Sequence, residues 1–266
     1  RRRELNAGDP GTPRVAVLVP CYNEALTVAK VVADFSAALP GAVVYVYDNR
    51  SSDGTGDIAR AAGAVVRREE RPGKGGVMRR MFAEVDADIY VVTDGDATYD
   101  ASRAPELVER LVRDDLDVVT GIRDHEDRDA AYRRGHQWGN RMFNGLLGLL
   151  FGERPRDMFS GYRVMSRRFV KSFPAEARGF EIETELTVHA LDLRVPTAEV
   201  VTRCSSGVYF VIVTAAFVGV RSGGITGSSV ITASVAKSTS GEPRNSSSFN
   251  LRSFETPRKR GSSARL

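Results

Sequence analysis

Five short apolar runs recur along the first half of this chain, each closed by a polar loop: VAVLV (15–19), VVYVY (43–47), AVV (64–66), IYVVT (89–93) and DVVTG (117–121). A strand with one face in water alternates apolar and polar residues, whereas these runs are nearly continuous, so each must be covered on both faces. Helix-period segments between the runs supply that cover. Val28, Val31, Val32, Phe35 and Leu39 repeat at helical spacing after Asn23, which is expected to act as the N-cap. From Val15 to about Val201 the pattern predicts an α/β fold, with a mostly parallel central sheet flanked by helices.

In such sheets ligands bind beyond the carboxyl ends of the strands, where crossover loops meet and helix N-termini aim their amides at anions. The polar motifs fall at those ends: PCYNE after the first run, DNRSSDGT after the second, RPGKGG after the third and DGDATYD after the fourth. In the last of these, Asp94 and Asp96 flank Gly95, so two carboxylates can converge on one hard cation such as Mg²⁺ or Mn²⁺. Such an ion keeps positions for a diphosphate and stabilises its charge as it departs. A calcium-binding EF-hand loop is excluded, because its sixth and twelfth positions would be Tyr99 and Pro105 in place of Gly and Glu. A phosphatase of the haloacid dehalogenase type, with Asp94 as nucleophile, is the competing reading of Asp94, Asp96 and Thr98, but it leaves the three earlier loops without a task.

Taken together, VPCYNEALTV, VYDNRSSDGT, RPGKGG and VTDGDATYD, in this order and at these intervals, resemble the family 2 glycosyltransferases of GT-A (nucleotide-diphospho-sugar transferase) fold. The resemblance is strongest to polyprenyl-phosphate sugar transferases of the dolichol-phosphate mannosyltransferase type. It covers roughly residues 13–203, and FSGYRVMSRR and GFEIETEL extend it past the nucleotide-binding half. It implies that Pro20, Tyr22 and Glu24 line the nucleotide pocket, that Asp48 contacts the base or ribose end, and that Lys74 lies near the nucleotide. Asp94, Gly95 and Asp96 would take the cation and diphosphate, with Asp94 and Asp96 as the metal ligands and Asp96 central to catalysis. A rigid turn with a packed ring is the plainer account of Pro20 and Tyr22. Asp53 and Gly54 are explained without ligand by a helix cap and a tight turn. The chain reads DNRS where the family pattern is Asp-Asp-Gly-Ser, with Asn49 and Arg50 in the middle positions, which leaves the base open.

On the acceptor side the resemblance implies guanidinium contacts to a lipid phosphate from Arg123, Arg141 and Arg163, and an orienting role for Asp157. Gly161 is expected at a tight bend that brings backbone close to ligand. A phosphate oxygen is already anionic and attacks without a strong general base; single displacement would invert the anomeric configuration. Trp138, Met142, Phe143, Leu146, Leu147, Leu150 and Phe151 form a broad apolar helix face, read as core packing or as an interfacial helix. Glu181, Glu183 and Glu185 open a further helix, where acidic side chains commonly serve only the helix dipole.

The net charge of +4 fits an anionic partner, and with the phosphate motifs in hand no nucleic acid is expected. Cys21 and Cys204 give neither a disulfide framework nor a zinc pattern, and His125, His136 and His189 are scattered. No apolar run reaches the roughly 18 residues of a membrane span. The expected organisation is a flexible segment over 1–13, a glycosyltransferase domain over 14–203 and an atypical, largely disordered tail over 204–266. The tail lacks the family's closing element, as a shifted reading frame near residue 204 would produce. The expected function is metal-dependent, inverting transfer of a hexose from a GDP- or UDP-sugar to a polyprenyl phosphate, in the cytoplasm and peripheral at the cytoplasmic membrane face. Transfer to a soluble or polysaccharide acceptor, and an inactive nucleotide-binding scaffold, are the alternatives.

Overall fold

The computed structural model describes residues 13–123 and 156–202, together with two short paired strands, Thr214–Ala216 and Val230–Thr232. The element order is β1 (Val15–Cys21), α1 (Val28–Ala38), β2 (Val43–Asp48), α2 (Thr55–Ala61), β3 (Val65–Arg68), α3 (Lys74–Glu84), β4 (Ile89–Val92), a 3₁₀ turn (Ala101–Arg103), α4 (Ala104–Arg113) and β5 (Val118–Arg123). After the undescribed segment come β6 (Arg163–Ser166), α5 (Arg167–Ser172), α6 (Ile182–Asp192) and β7 (Thr197–Thr202). Seven strands form one sheet in the order β3-β2-β1-β4-β6-β5-β7. All run parallel except β6, which is antiparallel to both β4 and β5.

The continuous apolar runs are buried on both sides, as their composition requires. Along β1 the pleat sends Val17, Val19 and Cys21 to the core beneath α1, α2 and α4, and Ala16 and Leu18 to the core beneath α3, α5 and α6. β4 divides in the same way, Ile89 and Val91 against Tyr90 and Val92. A slip of one residue would exchange the two sets, so packing on both faces fixes the register. Helix α4 shows the matching helical logic: Pro105 occupies its first turn, and Ala104, Leu107, Val108 and Leu111 form the buried stripe.

The helices change face where the strand order reverses. From β1 the chain steps outward through α1 and α2 to β3, then returns by α3 to lay β4 on the other side of β1. Right-handed crossovers moving in opposite directions put their helices on opposite faces. The crevice between the carboxyl ends of β1 and β4 is therefore the switch point of the sheet, where such folds bind ligands.

Asn23 does not cap α1. Its φ is 55°, and its side-chain oxygen accepts from the Ser52 amide at 2.9 Å. The Glu24 carbonyl accepts from the amides of Thr27 and Val28, which makes a separate turn, and the helix starts at Val28 with Thr27 in front of it. Asn23 is drawn to the neighbouring strand-end loop because that loop offers it an amide; the helix begins too far away.

Candidate active site

The carboxyl end of β1 and the residues after β4 meet directly. The Thr93 amide still donates to the Leu18 carbonyl at 3.1 Å, so Asp94 is the first residue to leave the sheet. Gly95 lies against β1: a Cβ there would stand 2.6 Å from Cys21 Sγ and 3.3 Å from Glu24 Cγ, which only glycine avoids. The Thr27 hydroxyl donates to the Gly95 carbonyl at 2.7 Å and pins the loop from the other side. Asp96 accepts the Thr98 amide at 3.0 Å across Ala97, whose φ of 58° makes the turn. Burial, and then the charge of Asp94, push the Asp96 carboxyl up from its ordinary range.

Two acids held this way repel each other unless a cation lies between them. Thr98 Oγ1, two residues beyond Asp96, is buried, and the Thr98 side chain lies close enough to Asp96 to draw its carboxyl back down. A buried hydroxyl oxygen beside two closely spaced carboxylates is the oxygen-donor chemistry that Mg²⁺ or Mn²⁺ takes. Among the described residues no group of three or more His, Cys, Asp or Glu is arranged to hold a metal. The arrangement thus fits a cation that completes its shell from a diphosphate and water, and does not fit a closed structural site.

Lys74, the first residue of α3, reaches into the crevice. Its Nζ lies 2.6 Å from Asp94 Oδ1 and 2.6 Å from Glu183 Oε1, with the side chain 10% exposed. Burial alone would push this ammonium down, but Asp94 and Glu183 outweigh it and raise it above its ordinary value. Burial pushes the Glu183 carboxyl up, and Lys74 draws it back. The glycines around Lys74 answer to packing. The Gly75 amide donates to the Arg178 carbonyl, and a Cβ at Gly73 or Gly75 would collide with the carbonyls of Arg178 or Ala177.

The loop before β6 forms the third wall. Gly161 rests on the Asp94 carboxylate, where any Cβ would clash, and its amide donates to the Tyr99 hydroxyl at 2.8 Å. The expected close approach of backbone at Gly161 is present, and what it approaches is a carboxylate of the site.

Arg163 requires a correction. It is 3% exposed, its Nε donates to the Ser160 carbonyl, and its Nη2 to Met158 and Glu183 carbonyls and the Thr187 hydroxyl. Placed at the start of an antiparallel strand, its side chain turns inward and braces the 157–160 loop against α6. It is not presented to an acceptor phosphate. Asp157 is buried in the same loop, near enough to Arg163 to bias its charge. Arg123 ends β5, its side chain outside the description, and Arg141 lies outside the described residues.

On the β2 side, Asp48 is buried and accepts the Ser51 amide at 2.9 Å, and Gly56 leaves room for it, since a Cβ there would be 3.1 Å from its carboxylate. Asn49 donates to the Glu69 and Arg71 carbonyls and accepts the Gly73 amide, so the residue that departs from the family pattern staples the RPGKGG loop to β2. Arg50 stands at φ 62°, the left-handed region that glycine takes freely. Arg50→Gly is expected to raise stability by about 1 kcal/mol, read as a higher denaturation midpoint; an unchanged or lower midpoint would refute this. Pro20 and Glu24 are partly buried beside the crevice, and Tyr22 is 63% exposed at its rim.

Glu183 is the site residue that sequence reasoning passed over. Its position in a first turn was explained well enough by the helix dipole, and its partner Lys74 lies 109 residues away. The glycines of GKGG were the available signal, because they imply backbone packed close around that lysine.

Comparison with known proteins matches residues 16–173 to the family described as glycosyl transferase family 2. Protein RfbJ of Shigella flexneri is 50% identical over 123 residues, which are 46% of this chain and 95% of RfbJ. The dolichyl-phosphate hexose transferase of Haloferax volcanii is 31% identical over 156 residues, 59% of this chain and 68% of the relative. Other curated relatives are longer, and the chain spans less than two thirds of them. Among solved structures, glucosyl-3-phosphoglycerate synthase from Mycobacterium tuberculosis, in complex with Mn²⁺, UDP-glucose and phosphoglyceric acid, superposes with a TM-score of 0.60 at 27% identity, covering 72% of this chain and 70% of that one.

Proposed function

This chain belongs to glycosyl transferase family 2, with a GT-A fold and the activity class of a nucleotide-sugar glycosyltransferase, and on that premise we propose that it moves a hexose from a nucleoside-diphosphate sugar to a polyprenyl phosphate. The observation that carries this reading is the half-buried Asp94/Asp96 pair at the β1/β4 switch point, with the buried Thr98 Oγ1 beside it. A divalent cation held by Asp94 and Asp96 would supply Lewis-acid stabilisation of the departing diphosphate.

The chain's own residues set the geometry. Asp48 and the 49–53 loop form the wall toward the base and ribose, and Pro20, Tyr22 and Glu24 border the pocket above β1. Lys74 brings a permanent positive charge to the diphosphate end. Gly95 and Gly161 let backbone close on the reacting region and exclude water. Asp157, in the loop carrying Gly161, orients the sugar or acceptor, and Arg123 and Arg141 are retained as contacts to the acceptor phosphate.

A phosphate acceptor agrees with the state of the carboxylates. Asp94 and Glu183 are both engaged by Lys74 and poorly placed to take a proton from a hydroxyl, whereas a phosphate oxygen has no proton to give up. The name of the Haloferax relative supports a lipid phosphate; the phosphoglyceric acid bound by the Mycobacterium neighbour supports the second reading, a soluble acceptor. No helix among the described residues is long and apolar enough to cross a membrane. Peripheral contact with the cytoplasmic face is part of the proposal because the proposed acceptor is a lipid.

Incubation with radiolabelled UDP- and GDP-hexoses, Mn²⁺ and polyprenyl phosphate tests the reading. Label is expected in the organic phase, with the signal abolished by EDTA. Label that moves only into water-soluble product would overturn the lipid acceptor. Transfer that persists in EDTA would overturn the cation.

A further inference from the structure

Lys74 is the only cation among the described residues for which ion pairs to both Asp94 and Glu183 are seen, and the two bonds are equal in length. The ammonium is nearly enclosed, with Phe180 beneath it at 5.7 Å from the ring centroid. An Asp94 oxygen bonded to an ammonium cannot at the same time bind a divalent ion through that lone pair. Loading the cation therefore requires Lys74 to loosen from Asp94, and a buried ammonium can do so only if a second carboxylate keeps it paired.

We infer that Lys74 is an exchangeable counter-ion and that Glu183 is the positioning residue that makes the exchange possible. Before the cation arrives, Lys74 neutralises Asp94. When the cation takes Asp94, Lys74 stays on Glu183 and turns its remaining hydrogens toward the donor diphosphate. Helix α6, which brings Glu183, is thereby coupled to the loop after β4. This rests on the reading of Asp94 and Asp96 as cation ligands.

The geometry makes predictions of opposite sign within one variant. Lys74→Met removes the competitor for Asp94, so Mn²⁺ alone, followed by the electron paramagnetic resonance of the free ion, is expected to bind at least about tenfold more tightly, because a unit charge this close is felt by more than that factor at protein dielectric. The same variant is expected to bind UDP and GDP about tenfold more weakly at saturating Mn²⁺, read by calorimetry. Glu183→Gln leaves the ammonium wholly to Asp94 and is expected to weaken Mn²⁺ binding by about tenfold. In the Lys74→Met background the same Glu183→Gln change is expected to have a smaller effect than in the parent, because only the direct field of Glu183 at Asp94 is then lost and its hold on Lys74 no longer counts.

A merely structural role would not move the two affinities in opposite directions. Lys74→Met that binds Mn²⁺ no more tightly than the parent, or Glu183→Gln with equal effects in both backgrounds, would overturn the inference. Should Lys74→Met alone fail to fold, the neutral double variant carries the test: it must bind Mn²⁺ more tightly than the parent while Glu183→Gln binds more weakly. If the parent chain binds no Mn²⁺ with or without UDP, the cation reading itself fails, a distinct result that removes the exchange with it.

Discussion

Asp96→Asn is expected to lower sugar transfer by about 10²–10³-fold, the scale of losing one preorganised electrostatic contact to charge that develops in the transition state, while leaving the melting temperature unchanged or higher. The two halves of this result have one cause. Asp96 is held in a half-buried turn beside Asp94, and both burial and its neighbour push its carboxyl up. A carboxylate with a folded pKa above its unfolded one destabilises the fold when ionised, and stability is lost as pH rises through the folded value. Asparagine keeps the shape and cannot ionise. In cation-free buffer the variant should therefore match or exceed the parent at neutral pH, with the difference closing as pH falls below the ordinary aspartate range. Label-transfer assays at saturating Mn²⁺ and thermal melts at both pH values check this. Near-parental turnover, or a melting temperature several degrees lower at neutral pH, would refute it.

Gly161→Ala is expected to lower transfer by about 10²-fold, because the added methyl must displace the Asp94 carboxylate or push the 156–162 loop away from it, and misplacement by about 1 Å costs a factor of this order. Overpacking of this kind also costs about 1–3 kcal/mol. Gly161 does not stand at a positive φ, so the penalty comes from the contact. Shortening the obstacle tests that assignment. With Asp94→Ala in the background, which is itself expected to be inactive, the destabilisation by Gly161→Ala should largely vanish in chemical denaturation. An equal loss of stability in both backgrounds would place the strain elsewhere.

The fold was readable because apolar runs buried on both faces leave few alternatives to a parallel sheet. Each of the five runs became a strand, and the helix expected after Gly179 formed as α6. β6 was harder to read: four residues, directly after a glycine-containing turn, carry too little pattern to reveal a strand running against its neighbours. That reversal also explains the misreading of Arg163. In a parallel strand a residue just after the polar motif would face the ligand edge differently from one at the start of an antiparallel strand, where it packs under the loop it follows. Asn23 failed as a cap for a related reason, since a long-range partner, Ser52, outcompeted the local helix. The aspartates stood out through their spacing together with the three motifs before them, whereas the pairing of Lys74 with Glu183 depends on two elements that only the folded sheet brings together.

The antiparallel strand has a consequence for how such an enzyme changes its acceptor. β5 ends at Arg123 on the same edge of the sheet where β6 begins at Arg163, the two strands being paired at Thr120 and Arg163. The chain leaves the sheet after β5 and re-enters it at β6 on that same rim, so a change in length between Arg123 and Arg156 need not shift a rung of the ladder. Under the proposed assignment of Arg123 and Arg141 to the acceptor, a new acceptor can be tried against an unaltered donor half, much as a tool head is swapped on a fixed handle.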